Sequence, residues 1–173
     1  MPDGWIVLLE TSAERAGEIS LESMQYLIDK QQYIGIVLSA SRPYKNLISL
    51  YQKKGIDTNR IIFIDCVSKS QSMDLEDAGN VIFLEAVSDL TSISLAVKGC
   101  MEKINGNKFV FIDSITSMLI HNEPTIFARF IHGILTKMRI GGTSGLLICL
   151  DKDTDNDIRA EIAQLCDKIV RIT

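Results

Sequence analysis

The sequence predicts one three-layer α/β/α domain over residues 1–173, built on a mostly parallel, doubly wound sheet. Seven short apolar runs alternate with longer segments of helical period, the order expected of strands joined by crossover helices. Several of the runs are apolar throughout rather than alternating, which is how strands covered on both faces read. No linker, repeat or low-complexity stretch interrupts the pattern. A chain of this length buries about 70% of the surface it exposes when unfolded, so neither metal nor disulfide is needed to hold it together.

The first strand is expected over Trp5 to Leu9, followed by a weakly patterned helix over about Glu18 to Gln32. Ile34 to Leu38 reads as the second strand and Tyr44 to Lys54 as the next helix. Arg60 to Ile64 and Val81 to Leu84 are strands on either side of a surface excursion, Lys69 to Asn80. Ile93, Val97, Cys100, Met101 and Ile104 recur at three and four, forming one stripe on a helix that Asp89 is placed to cap. The strand Phe109 to Ile112 follows. Phe127, Phe130, Ile131, Ile134, Leu135 and Met138 form a second stripe, with Asn122 at the N-cap position and Pro124 in the first turn, where its missing N–H costs nothing. Gly141-Gly142-Thr143-Ser144-Gly145 is glycine-rich but follows a helix and precedes a strand, so it reads as a helix C-terminal turn rather than a phosphate loop. Gly145 to Leu150, a helix over Asp157 to Cys166 and the strand Lys168 to Ile172 complete the order.

With 22 acidic and 18 basic side chains the net charge is −4, which argues against nucleic acid as a partner because such binding rests on clustered Lys and Arg. No apolar run reaches the roughly 18 residues of a membrane span, and no basic region precedes the first apolar run, so a cytoplasmic protein without membrane contact is expected. Cys66, Cys100, Cys149 and Cys166 are widely spaced, form no CxxC pair and read as buried reduced thiols. His121 and His132 have no Cys or His at ligand spacing, so neither a structural zinc nor a histidine-based hydrolase is expected.

Ligands of doubly wound sheets bind beyond the carboxyl ends of the strands, where this chain places Glu10, Ser39, Asp65, Glu85, Asp113 and Asp151. Phe109-Val110-Phe111-Ile112-Asp113 is the Walker B arrangement, a carboxylate at the end of a buried strand that can orient a magnesium-bound water. The longer string Val110-Phe111-Ile112-Asp113-Ser114-Ile115 resembles the corresponding segment of the KaiC-like branch of the RecA superfamily. Cys166-Asp167-Lys168-Ile169-Val170-Arg171-Ile172 is similar to the strand that closes that domain. The helix Ile126 to Arg139, the stretch Ser41-Arg42-Pro43-Tyr44, Gly55-Ile56-Asp57 and Phe63-Ile64-Asp65-Cys66 stand in the family's order.

The resemblance implies a nucleotide site, and two of its parts are missing. The family's phosphate loop, GxxxxGK[ST], offers backbone N–H groups, a lysine and a magnesium-binding hydroxyl. Here the segment reads Glu10-Thr11-Ser12-Ala13-Glu14-Arg15-Ala16-Gly17-Glu18-Ile19-Ser20, with Glu18 where the lysine belongs. Glu10, Glu14 and Glu18 facing a triphosphate would each cost a few kcal/mol at an effective dielectric near 20. The family's catalytic carboxylate after the second strand is replaced by Ser39-Ala40-Ser41.

The expectation is a catalytically degenerate RecA/KaiC-like domain without a cofactor, leaning away from enzyme activity. It would act through a protein partner or by self-association as a regulatory or scaffolding module, with Asp113 and Ser114 kept for structure or contact. The alternative is an ATP-binding or ATP-hydrolysing KaiC-like protein with an unusual loop. It would use Thr11, Ser12, Ala13, Glu14, Arg15, Ala16 and Gly17 with Asp113 and Ser114, magnesium on Asp113, and Arg42 or Lys45 as added cations. A remote alternative is a receiver-like phosphoacceptor domain using Glu10, Asp65 and Lys152, although the acid pair after the first strand and a Lys-Pro after Leu150 are absent. Asp151 to Asp157 mimics the start of an EF-hand, but Asn156 stands at the turn glycine and Ile162 at the terminal glutamate, which favours a solvated loop with a helix cap.

Overall fold

Seven strands form one parallel sheet in the order β4-β3-β2-β5-β6-β1-β7 in a computed structural model that describes residues 4–73, 75, 79–150 and 154–173. The strands are β1 (Ile6–Thr11), β2 (Ile34–Ser39), β3 (Ile61–Asp65), β4 (Val81–Phe83), β5 (Lys108–Asp113), β6 (Ser144–Leu150) and β7 (Lys168–Ile172). Every expected strand is present, and most run one or two residues further toward the carboxyl end. The apolar count stops at the last hydrophobic residue, whereas pairing continues through Thr11, Ser39, Asp65 and Asp113.

Two helical layers sandwich the sheet. On one face α1 (Ala13–Gln25), a π turn (Tyr26–Lys30) and α2 (Tyr44–Lys54) cover Val7, Leu9, Val37, Phe63, Phe109 and Phe111. On the other, α3 (Leu90–Lys103), α4 (Ile115–Ile120), α5 (Pro124–Gly141) and α6 (Asn156–Gln164) cover Ile6, Leu8, Ile36, Leu38, Ile64, Val110, Ile112 and Leu147. Alternate residues of each strand therefore feed alternate layers, as a pleat requires. Gly35 makes a close approach possible: a Cβ there would stand 3.1 Å from Phe109 and 3.3 Å from Ile28 of the π turn.

The helix ends follow local chemistry with one exception. Asp89 caps α3 by accepting the Ser92 N–H, and Gly142, at φ 68°, closes α5 as the turn chemistry expects. The cap of α5 is Glu123, whose carboxylate accepts from the N–H groups of Thr125 and Ile126. Asn122 instead donates to the carbonyls of Val87 and Met118, so its amide ties α4 to the segment before α3. Asp155 caps α6 through the Asp157 and Ile158 N–H groups; Asp151 to Asp153 of the EF-hand-like segment, and Lys152 of the receiver-like reading, lie outside the described residues. The expected excursion contains one short 3-10 turn, Lys69–Gln71, while residues 74 and 76–78 lie outside the described set. All four cysteines are free, and Cys66, Cys100 and Cys149 are buried. Among the described residues no helix is long and apolar enough to cross a membrane.

Candidate functional site

The connection after β2 leads through α2 to one edge of the sheet, and the connection after β5 leads toward the other. These adjacent strands therefore part at their carboxyl ends, the position where open α/β sheets form their ligand crevice. Asp65, Ser39 and Asp113 are register partners across β3, β2 and β5 and make one row at that point. Each follows residues of the α1/α2 core at a spacing of two, so all three side chains leave the sheet on that face.

The three have different fates. Asp65 is buried and accepts from the backbone N–H groups of Tyr44 at 2.7 Å, Val67 at 2.8 Å and Ser68 at 2.9 Å, and from the Ser68 hydroxyl. It fastens the start of α2 and the loop after β3, and its acceptor sites are occupied, which removes it as the exposed phosphoacceptor of the receiver-like reading. The Ser39 hydroxyl donates to the Arg42 carbonyl and accepts the Arg42 N–H at 3.3 Å, setting the turn into α2. Asp113 is half-buried, and no hydrogen bond reaches its carboxylate among the described residues. Burial pushes its carboxyl above the ordinary range, and the Arg42 guanidinium pulls it partly back.

Arg42 leans across the crevice to α1, where its guanidinium lies 3.6 Å from the position a Cβ on Gly17 would take. On α2, the buried Tyr51 hydroxyl has no hydrogen-bond partner among the described residues; burial, and then the charge of Asp113, raises its pKa. Arg42, Asp113 and Tyr51 thus form one electrostatic cluster. Lys45 points into solvent on α2. The peptide between Asp113 and Ser114 is cis, and the Ser114 hydroxyl caps α4 by accepting the Ser117 N–H at 3.1 Å.

The other expected site residues lie two strands from Asp113, across β6. Thr11 ends β1, fully buried, and its hydroxyl has no hydrogen-bond partner among the described residues. Ser12 alone separates β1 from α1, and the N–H groups of Arg15 and Ala16 already donate to its carbonyl. Ala13, Glu14, Arg15, Ala16 and Gly17 are residues of the helix. Arg15 is occupied with the Thr173 carbonyl at 2.7 Å.

Contrary to the sequence-based expectation, Glu10 does not face the segment where a phosphate loop would lie. It follows Ile6 and Leu8 on the opposite face of β1 and is buried there, with its carboxylate 2.7 Å from Arg171 Nε on β7 and 3.9 Å from Arg159 Nε on α6. Glu14 and Glu18 are exposed on α1. The period of two already separates Glu10 from Thr11, but its arginine partners are about 150 residues away in sequence and invisible to a local reading.

At the same sheet edge, but on the α3/α4 face and not lined by Asp113, Arg42 or Tyr51, the molecule opens a cleft of about 510 Å³ that the sequence does not single out. Its walls come from Ser41 after β2, Ser70 and Gln71 after β3, Ser88 before α3, Ser117 on α4 and His121 just after it. The available clue was the small residues directly after the apolar runs, Ala40-Ser41 and Ala86-Val87-Ser88. Among the described residues the lining holds no carboxylate, lysine or arginine, and Ile120 stands exposed at its rim. Among the described residues no group of three or more His, Cys, Asp or Glu side chains is arranged to hold a metal ion.

This parallel sheet between two helical layers is an α/β fold that matches the fold of KaiC-like proteins. The chain belongs to the family described as a family of unknown function, DUF7504, whose model matches residues 25–172. The KaiC-like protein PH0186 from the hyperthermophilic archaeon Pyrococcus horikoshii OT3 superposes with a TM-score of 0.70 at 14% identity, over 99% of this chain and 72% of that one. The uncharacterized protein PH0321 from Pyrococcus horikoshii, solved in complex with an unknown peptide, superposes with a TM-score of 0.77 at 13% identity, over 99% of this chain and 78% of that one. A comparison with curated proteins finds no match.

Proposed function

We propose that this chain is a catalytically degenerate RecA/KaiC-like domain that works by holding a protein partner, as a regulatory or scaffolding module without a nucleotide cofactor. The observation that carries this reading is the single residue between β1 and α1. A phosphate loop needs several residues whose N–H groups converge on the anion before the helix begins. Here the first turn of α1 takes up that length of chain, and Gly17 is spent inside the helix. No lysine follows Gly17, and Ser39-Ala40-Ser41 supplies no carboxylate to orient water.

The partner-binding surface in this proposal is the serine-lined cleft at the carboxyl ends of β2, β3 and β5. Hydroxyl and amide groups over a floor of Ala40, Cys66 and Val87 suit the uncharged backbone of an extended peptide segment, and Ile120 offers an apolar contact beside it. The peptide bound to the Pyrococcus protein PH0321 supports an occupant of this kind.

Isothermal titration of the purified chain with ATP and magnesium tests the reading directly. No saturable heat at micromolar concentrations and no hydrolysis above background are expected; micromolar binding or turnover removed by Asp113→Ala would establish the ATPase alternative instead.

A further inference from the structure

At the opposite, amino-terminal edge of the sheet, a second concavity of about 230 Å³ lies between α1, the π turn and the strands β1 and β6. Its base is Trp5, Val7 and Leu146, and its wall is Leu27 and Tyr33, all buried members of the core on that face. Tyr26 forms the rim and is 56% exposed.

Two backbone irregularities border this space. The Gln31 N–H donates to the Tyr26 carbonyl, a five-residue step that widens the last helical turn, and Tyr33 N–H reaches back to Leu27. Gln32 then turns the chain at φ 60°, a left-handed conformation that a glutamine adopts at a cost. Polar tips of the aromatic walls are satisfied internally: Trp5 Nε1 donates to the Tyr33 hydroxyl at 3.1 Å, and Gln31 Nε2 to the Tyr26 hydroxyl at 3.0 Å. The Trp5 and Tyr33 rings meet at 79°, with centroids 6.0 Å apart. Ser23 contributes the remaining polar group, and its hydroxyl makes no hydrogen bond among the described residues.

We infer that this concavity is a binding site for a compact, uncharged ring bearing one hydroxyl group, such as a phenyl or cyclohexyl alcohol. The ring would lie against Trp5, Leu146 and Leu27, and the hydroxyl would meet Ser23. Apolar walls with one polar group to fix orientation are the usual composition of a small-molecule site. Among the described residues no charged side chain lines it, so a carboxylate on the same ring would lose its hydration without gaining a cation from them. This site is independent of the cleft at the carboxyl ends of the strands.

Trp5 is the only tryptophan of the chain, so its emission reports directly on the site. Benzyl alcohol, which does not absorb at 295 nm, is titrated into the intact protein and compared with sodium benzoate at matched ionic strength. A saturable change with benzyl alcohol in the millimolar range is expected, with benzoate at least tenfold weaker. Tyr26→Ala, at an exposed position that folding tolerates, is expected to weaken binding at least fivefold, and Ser23→Ala to weaken benzyl alcohol severalfold. A strictly linear emission change, equal binding of benzoate, or a Tyr26→Ala protein that folds and binds like the original would overturn the assignment.

Discussion

Glu10 and Arg171 are register partners on the adjacent strands β1 and β7, and Arg171 Nε lies 2.7 Å from the Glu10 carboxylate. The pair is asymmetric: the glutamate side chain is 5% exposed and the arginine side chain 74%. Arg171 therefore neutralises a charge that water cannot reach. An exposed partner is worth less than a buried one, and Arg159 remains at 3.9 Å, so Arg171→Leu is expected to cost about 1–2 kcal/mol. Urea unfolding measures it. Combining Glu10→Gln with Arg171→Leu should recover most of the loss, because the stranded charge is then gone.

Asp113 carries the opposite kind of consequence. Its carboxyl is raised, chiefly by burial, so the folded chain retains a proton that the unfolded chain releases. The stability of the neutral form is present at low pH and declines as pH climbs from the ordinary carboxylate range through the elevated value. Asp113→Asn should consequently raise the melting temperature at pH 7 to 8, and the gain should vanish toward pH 4. A lower melting temperature for Asp113→Asn at pH 7 would show instead that the charge is held in place by Arg42.

Asp65 is a hub. Asp65→Ala would strip three backbone N–H groups of their acceptor at the start of α2 and the loop after β3. A buried donor left unpaired costs about 1–3 kcal/mol, so a loss of at least about 3 kcal/mol is expected in denaturant unfolding. Incubation of the unmodified chain with acetyl phosphate should give no mass shift at this residue.

Burial raises the Cys66 and Cys166 thiols to about 12 and lifts Cys100 as well. Since the thiolate is the reactive form, the native chain at pH 8 should react only slowly with an aromatic disulfide reagent at these positions. Unfolding in guanidinium should release all four thiols at once. Prompt labelling of Cys66 without denaturant would show that the carboxyl-edge cleft opens to its floor.

Much of the fold was legible because its determinants are local. Tyr44–Lys54 was read to the residue, with Pro43 before it and a left-handed Gly55 after it marking both ends. The sequence predicts a helix from Glu18, yet α1 begins at Ala13, because Ala13 to Glu18 bury no side chain and the first buried position is Ile19. α4 was missed since its six residues are too short to show a period. At the site, the row Asp65-Ser39-Asp113 follows from strand ends visible in the sequence, whereas its meaning does not. Which carboxylate is consumed by backbone donors, and which is left beside Arg42, depends on loops that only the folded chain brings together.

The place of β7 also bears on how the chain comes into being during synthesis. Among the described residues β7 pairs with β1 alone, so β1 keeps one backbone edge open until residues 168–172 have emerged. Until then the Glu10 carboxylate lacks Arg171, and the open edge is a template for pairing with other chains. A chain stopped before Lys168 would thus be prone to association through β1, although the other six strands described above would already be present.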